Sequence, residues 1–182
     1  MACCVRIKKW DEILIETLII VLLIVLICLD HLRPKHNHDF DHARVGVGVI
    51  LKDHQTQKIL VQKRRGSHGA GQWSLPGGHL EKFETLFACS ARELKEEHNI
   101  QVSEFEFGPY TEDFFRQENR HYITLFLTAT YNSCMGVPTV QEPDKCESFQ
   151  WMTWEELQDM NDKLLFSGLR ELRNRGYHPF PG

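Results

Sequence analysis

The sequence predicts a mixed α+β domain preceded by a single membrane-spanning helix. Three observations carry this expectation: an apolar run at 13–29, short strand-like segments from 43 onward, and one long segment at 84–98 whose apolar residues recur at helical spacing.

The chain is divided into an N-terminal flank (1–12), the apolar run (13–29), a polar linker (30–42) and a domain (43–182). Fourteen of the seventeen residues in the run are Leu, Ile or Val, and only Glu16, Thr17 and Cys28 interrupt them. At helical rise the run extends roughly 26 Å, near the lower limit for crossing a bilayer. No small-x-small cleavage pattern follows it, so an uncleaved anchor is expected rather than a signal peptide. Arg6, Lys8 and Lys9 before the run balance Arg33, Lys35 and Arg44 after it, and the charge rule leaves orientation open. Cys3, Cys4 and Cys28 lie where acylation occurs, although unmodified thiols are the plainer reading. The linker carries His31, His36, His38 and His42 but no Cys or evident fourth geometric partner, and reads as a solvated tether.

In the domain, Val45, Val47 and Val49 alternate with small residues and lead into Ile50 and Leu51, a strand. A turn at 53–57 separates it from a second strand at 58–63, through Ile59, Leu60 and Val61. Segment 84–98 reads as a helix, with Leu86, Phe87, Ser90, Ala91 and Leu94 on its packing side. Strands are expected at 122–131 and 148–152, and two further helices beginning near Thr153 and Asp162. Trp151, Trp154, Phe149 and Leu157 are expected in the core or a subunit interface.

Of the 182 residues, 42% are hydrophobic and 25% charged, ordinary values for a chain that buries a core. A formal net charge of −4 argues against a nucleic-acid polymer as partner, because that needs a basic surface. Small anionic substrates stay open, since a metal ion and a few arginines can neutralise them. The six cysteines form no CxxC pair, so reduced thiols in a reducing compartment are expected.

The chemistry concentrates at Gly77-Gly78-His79-Leu80-Glu81-Lys82-Phe83-Glu84 and Arg92-Glu93-Leu94-Lys95-Glu96-Glu97. Glu93, Glu96 and Glu97 fall on one helical face spanning about 100°. Such spacing alone usually marks a solvated acidic face. Here a Gly-Gly turn precedes the helix, and Arg92 can pair with Glu84 to hold the acids in register. Oxygen ligands of this kind favour Mg²⁺, with Mn²⁺ as the alternative, bridging to substrate phosphates.

The spacing Gly78-x5-Glu84-x7-Arg92-Glu93-Leu94-x-Glu96-Glu97-x-Asn99-Ile100 resembles the Nudix box. Further segments resemble the small eukaryotic nucleotide triphosphate diphosphatases related to MutT. They are Gly66-Ser67-x-Gly69-Ala70-Gly71, Leu75-Pro76-Gly77-Gly78, His121-Tyr122-Ile123-Thr124, Glu142-Pro143-Asp144-Lys145-Cys146-Glu147 and Leu165-Phe166-Ser167-Gly168-Leu169-Arg170. The resemblance covers about 44–180 and omits the anchor and linker. It implies an α/β/α sandwich with a mixed sheet, and a homodimer.

The same resemblance implies Gly78 (through its carbonyl), Glu93 and Glu97 as metal ligands, with Glu96 in or near the site and Arg92 and Glu84 supporting catalysis. It places Arg64 near the phosphates, and Thr124, Phe166, Gly168 and Leu169 near the base. The implied reaction is Mg²⁺-dependent hydrolysis of a nucleoside triphosphate, modified or oxidised purine nucleotides included, to a monophosphate and pyrophosphate. Glu96 or Glu97 orients or deprotonates the water, with Glu81 and Glu142 as further candidates. The competing reading is a Nudix-fold module at a membrane that binds nucleotide without cutting it.

Two positions depart from the box. Asn99 replaces its last glycine, and Asn is the best non-glycine residue for a left-handed helix end. Phe83 stands where relatives carry glycine; if that position has positive φ, Phe costs roughly 1–2 kcal/mol. Ser167 replaces an aromatic before Gly168, which leaves base preference open. Cys89 reads as core, and His121 as either a substrate contact or a hydrogen-bonded strand residue. Reduced cysteines and the expected substrates suit a domain facing the cytosol on a single-pass anchor.

Overall fold

The computed structural model describes residues 21–22, 42–66 and 68–180. It divides into two units, Met1–Asp41 and His42–Gly182. Of the first unit only Val21 and Leu22 are described, and both are helical. The expected anchor at 13–29 therefore lies, apart from those two residues, outside the described residues, as do the flank and all of the linker but His42. Among the described residues no helix is long and apolar enough to cross a membrane.

The second unit is a seven-stranded mixed sheet covered on both faces by helices. Its strands are β1 (Arg44–Asp53), β2 (Lys58–Arg64), β3 (Trp73–Ser74), β4 (Gly77–His79), β5 (Glu106–Phe115), β6 (Arg120–Thr130) and β7 (Cys146–Thr153). The helices are α1 (Leu86–His98), α2 (Trp154–Gln158) and α3 (Ser167–Asn174). The main path runs β3-β2-β1-β6-β5, with β4 added to β1 and β7 to β2. Only the central β1–β6 pair is parallel, which makes the sheet mixed.

Strand β1 is central because its side chains are apolar in both directions. Val49 and Leu51 join Leu60, Ala129, Leu94 and Ile100 in the layer that α1 closes. Ile50 instead joins Ile59, Val61, Phe126, Trp154, Leu157, Leu169 and Leu172 in the layer under α2 and α3. A two-residue side-chain period thus feeds two cores from one strand. Trp154 and Leu157 lie in the core as expected, while Phe149 and Trp151 pack partly buried against the α1 layer.

The expected elements are present with shifted ends. Helix α1 starts at Leu86 rather than at residue 84, because the Thr85 hydroxyl caps it by accepting from the Ala88 N–H at 3.1 Å. Glu84 stays in the preceding loop. The helix expected near Asp162 is a single 3₁₀ turn, Asp162–Leu164. Leu165 then goes extended and fully buried, and the α-helix begins only at Ser167. Strand β5 was not expected at all. Its buried positions, Thr111 and Asp113, are polar, whereas Phe107, Tyr110 and Phe114 are 72%, 54% and 56% exposed.

Candidate active site

Strand β4 lies antiparallel to β1, with Gly77 opposite Gly48 and Gly78 opposite Val47. Gly77 has φ 143°, and a Cβ there would fall 2.1 Å from the Val47 carbonyl oxygen, so no other residue fits. At Gly78 a Cβ would fall 2.2 Å from Glu93 Oε1. The Glu93 carboxylate therefore rests directly against the glycine turn.

Glu97, one turn further along α1, is buried beside it. Its Oε2 accepts the Gly77 N–H at 2.9 Å, and its Oε1 accepts the Gln62 amide at 2.9 Å. Burial pushes the Glu97 carboxyl up to about 7, and the charges of Glu93 and Glu142 add to this against the two hydrogen bonds. Glu93 is also raised, first by burial, with Arg92 opposing. Two carboxylates held this way in a partly dry site suit a bound cation.

Arg92 organises the surroundings. Its Nε and Nη2 donate to the two oxygens of Glu84 at 2.8 and 3.0 Å, a bidentate pair. Nη1 donates to Glu93 at 2.7 Å and to Glu96 at 3.1 Å, and Nη2 also reaches the His79 carbonyl at 3.1 Å. The hydrogen bonds from Arg92 hold the Glu84 carboxyl down to about 2. The pairing expected between Glu84 and Arg92 is thus present, and it spans the loop and the helix. The Cys89 thiol below it is buried and pushed up to about 12, first by burial, which removes it as a nucleophile.

A cavity of about 600 Å³ opens over these groups, the size of a small-ligand site. Glu93, Glu97, Gly78 and Arg92 line one wall. Another wall is aromatic: Arg64 sits 4.2 Å above the Phe166 ring, and Phe115 stacks on Phe166 with centroids 5.8 Å apart. Arg64 is fixed by donating from Nε to the His68 carbonyl at 3.0 Å. Thr124, Gly168 and Leu169 border the same space.

Of the residues expected in the site, the cavity gathers Gly78, Arg92, Glu93, Glu97, Arg64, Thr124, Phe166, Gly168 and Leu169. Glu81 and Glu142 border it too, with Glu142 paired to Lys145 at 2.7 Å. Glu84 and Glu96 do not line it: Glu84 is turned to Arg92, and the Glu96 side chain is 53% exposed on the solvent side of the same guanidinium. Residues not foreseen include Gln62, Asp113, Phe115, Arg120 and Tyr122. For Gln62 a signal existed, a lone amide closing the apolar run of β2. Among the described residues no three His, Cys, Asp or Glu side chains converge closely enough to enclose a metal. Two carboxylates beside a glycine turn nevertheless fit Mg²⁺, which keeps waters and shares substrate oxygens instead of filling a protein cage.

Comparison with known proteins agrees with this arrangement. Over 117 residues the chain is 31% identical to "Nudix hydrolase 2" of Arabidopsis thaliana, covering 62% of this chain and 40% of that protein. It is 36% identical over 66 residues to an 8-oxo-dGTP diphosphatase of Proteus vulgaris, covering 36% of this chain and 58% of that one. The chain thus spans about two fifths of the plant relative's length and under two thirds of the bacterial one. Among solved structures, a MutT NUDIX hydrolase from Burkholderia pseudomallei matches with TM-score 0.59 and 28% identity, over 63% of this chain and 86% of that one. The NUDIX domain of Shewanella oneidensis NrtR, complexed with ADP ribose, shares the fold with TM-score 0.61 at 21% identity, over 81% and 96% of the two chains. The family model for the NUDIX domain matches residues 42–172, which contain every residue that lines the cavity, and the chain belongs to the NUDIX family.

Proposed function

We propose that this protein hydrolyses nucleoside triphosphates, purine nucleotides and their oxidised forms included, to nucleoside monophosphate and pyrophosphate with Mg²⁺ as the metal. The observation that carries this reading is the pair of carboxylates, buried Glu97 and half-buried Glu93, gathered at the Gly77–Gly78 turn in one cavity with an aromatic wall. The names of the matched relatives, an 8-oxo-dGTP diphosphatase and MutT hydrolases among them, support it.

Glu93, Glu97 and the Gly78 carbonyl would hold the metal. Its chemistry there would be to neutralise phosphate charge and acidify a water. The protein's own contribution is alignment. Gln62 and the Gly77 N–H fix the Glu97 carboxylate, and Arg92 fixes Glu93 from the opposite side. The Arg64 guanidinium, held over Phe166, supplies positive charge at the cavity wall. Glu97, ionised when it holds the metal and fixed by its two hydrogen bonds, is the favoured group to orient the attacking water.

The test is pyrophosphate release by the full chain with Mg²⁺ and a panel of nucleoside triphosphates, beside Glu97→Gln. The substitution is expected to lower turnover by a few powers of ten, or several kcal/mol of barrier. Undiminished turnover would sink the assignment; tight binding without turnover in the unmodified chain would favour a nucleotide sensor. A membrane tether through residues 13–29, with the domain facing the cytosol, and a homodimer complete this reading on sequence grounds. Recovery of the endogenous protein only in the soluble fraction would refute the tether.

A further inference from the structure

Strand β5 turns Thr111, Asp113 and Phe115 to one side. Asp113 is buried, yet its carboxylate borders the cavity next to Thr124 and Gly168. Three hydroxyls from three elements converge on it. Thr111 of β5 donates to Oδ2 at 2.9 Å, Thr124 of β6 donates to Oδ2 at 3.0 Å, and Ser167 of α3 donates to Oδ1. Oδ1 therefore accepts a single hydrogen bond among the described residues and keeps a lone pair.

A hydroxyl owns one proton and two lone pairs, and an ionised carboxylate owns only lone pairs. With each hydroxyl proton given to Asp113, the oxygens of Thr124 and Ser167 can only accept from anything else. Whichever of these atoms a ligand meets, it meets an acceptor. Gly168 lies close beside this group: a Cβ there would stand 3.0 Å from the Phe126 ring and 3.9 Å from Asp113 Oδ2.

We propose that Asp113 is a specificity-determining residue of the nucleotide site, selecting a base edge that carries adjacent N–H donors, the N1–H and N2–H₂ edge of guanine. Adenine would bring its N1 lone pair against this acceptor wall, and thymine offers one N–H between two carbonyls. The proposal rests on the nucleotide reading above. A purely structural clamp between β5, β6 and α3 would hold whatever base is bound, so the contribution of the exocyclic amine separates the two roles.

The experiment is calorimetric binding of GMP and of IMP, which lacks only that amine, to the full chain and to Asp113→Asn. In the unmodified chain GMP is expected to bind at least about tenfold tighter, the factor carried by a hydrogen bond to a charged group. In Asp113→Asn, whose amide lets the hydroxyls turn around, the gap is expected to shrink below about threefold. Equal affinity for the two nucleotides in the unmodified chain, binding of neither, or a gap that survives the substitution would each overturn the proposal. The first two outcomes need no variant, so a misfolded Asp113→Asn protein leaves the test standing. Triphosphate hydrolysis without a GMP–IMP gap would remove only the role of Asp113. A gap without hydrolysis would remove only the hydrolase reading.

Discussion

Phe83 occupies a left-handed conformation, φ 69°, with 94% of its surface in water, so its ring gains little beyond a contact with the Lys82 ammonium 5.0 Å away. The strain does not reach the carboxylate beside it, because Glu84 remains bidentate to Arg92. Phe83 thus takes the backbone conformation that a glycine would take there and loads only the stability. Relief of about 1–2 kcal/mol of strain is offset by the greater freedom of unfolded glycine, about 0.4–1 kcal/mol. Phe83→Gly is therefore expected to be neutral or to gain up to about 1.5 kcal/mol, and Phe83→Val, β-branched at positive φ, to lose about 1 kcal/mol. Urea unfolding midpoints read both, and a glycine variant less stable than the parent would show the ring to be structural. Asn99 answers the same question at the end of α1. It adopts φ 57°, and its N–H reaches the Leu94 and Lys95 carbonyls, so the amide residue serves as the left-handed cap expected of it.

At the scale of elements, the loop and α1 act as one piece because a single guanidinium ties Glu84, Glu93, Glu96 and the His79 carbonyl together. A lysine carries the charge but not the fork. Arg92→Lys is expected to cost about 1–3 kcal/mol of stability and to lower turnover at least tenfold, since Glu93 loses its support. Stability measured by denaturant alongside turnover checks this, and a variant equal to the parent in both would show that α1 positions Glu93 unaided. This half of the site was legible in the sequence because its parts lie within residues 77–97, at spacings a helix converts directly into geometry. The other half was only partly legible. Its residues come from β5, β6 and the turn before α3, and strand β5 hides itself by pointing Thr111 and Asp113 inward while Phe107, Tyr110 and Phe114 face out. Periodicity identifies a strand by its apolar side, and here the apolar side is the wet one. The extended break at Leu165 was invisible for a related reason, since burial of one leucine against Trp73 and the core is a tertiary event.

For the whole folded domain, the buried Glu97 carboxyl of α1 sets a pH dependence that a metal should offset. The Glu97 carboxyl lies at about 7, above its ordinary 4.5. Between those values the folded state holds a proton that the unfolded chain has released, so without metal this group makes stability fall as pH rises from about 4.5 to 7. His98, also buried, is pushed down to about 4 from 6.5, first by burial, and acts oppositely: stability is lost as pH falls from about 6.5 to 4. Above pH 6.5 only the carboxyl effect remains. Glu97→Gln, which cannot ionise, is therefore expected to gain on the parent by up to about 3 kcal/mol between pH 5 and pH 8 in chelator. Mg²⁺ requires the ionised carboxylate, so in the parent it should raise the melting temperature more at pH 8, where a hundredfold excess over Kd adds about 2.7 kcal/mol of stability, than at pH 5.5. In Glu97→Gln that difference between the two pH values should vanish. Thermal melts with and without Mg²⁺ at both pH values decide it, and equal Mg²⁺ stabilisation of both proteins at both values would place the ion away from Glu97. A loss of the pH effect in the variant would instead tie metal, proton and the buried end of α1 to one carboxylate, which is what a hydrolytic site built around Glu97 requires.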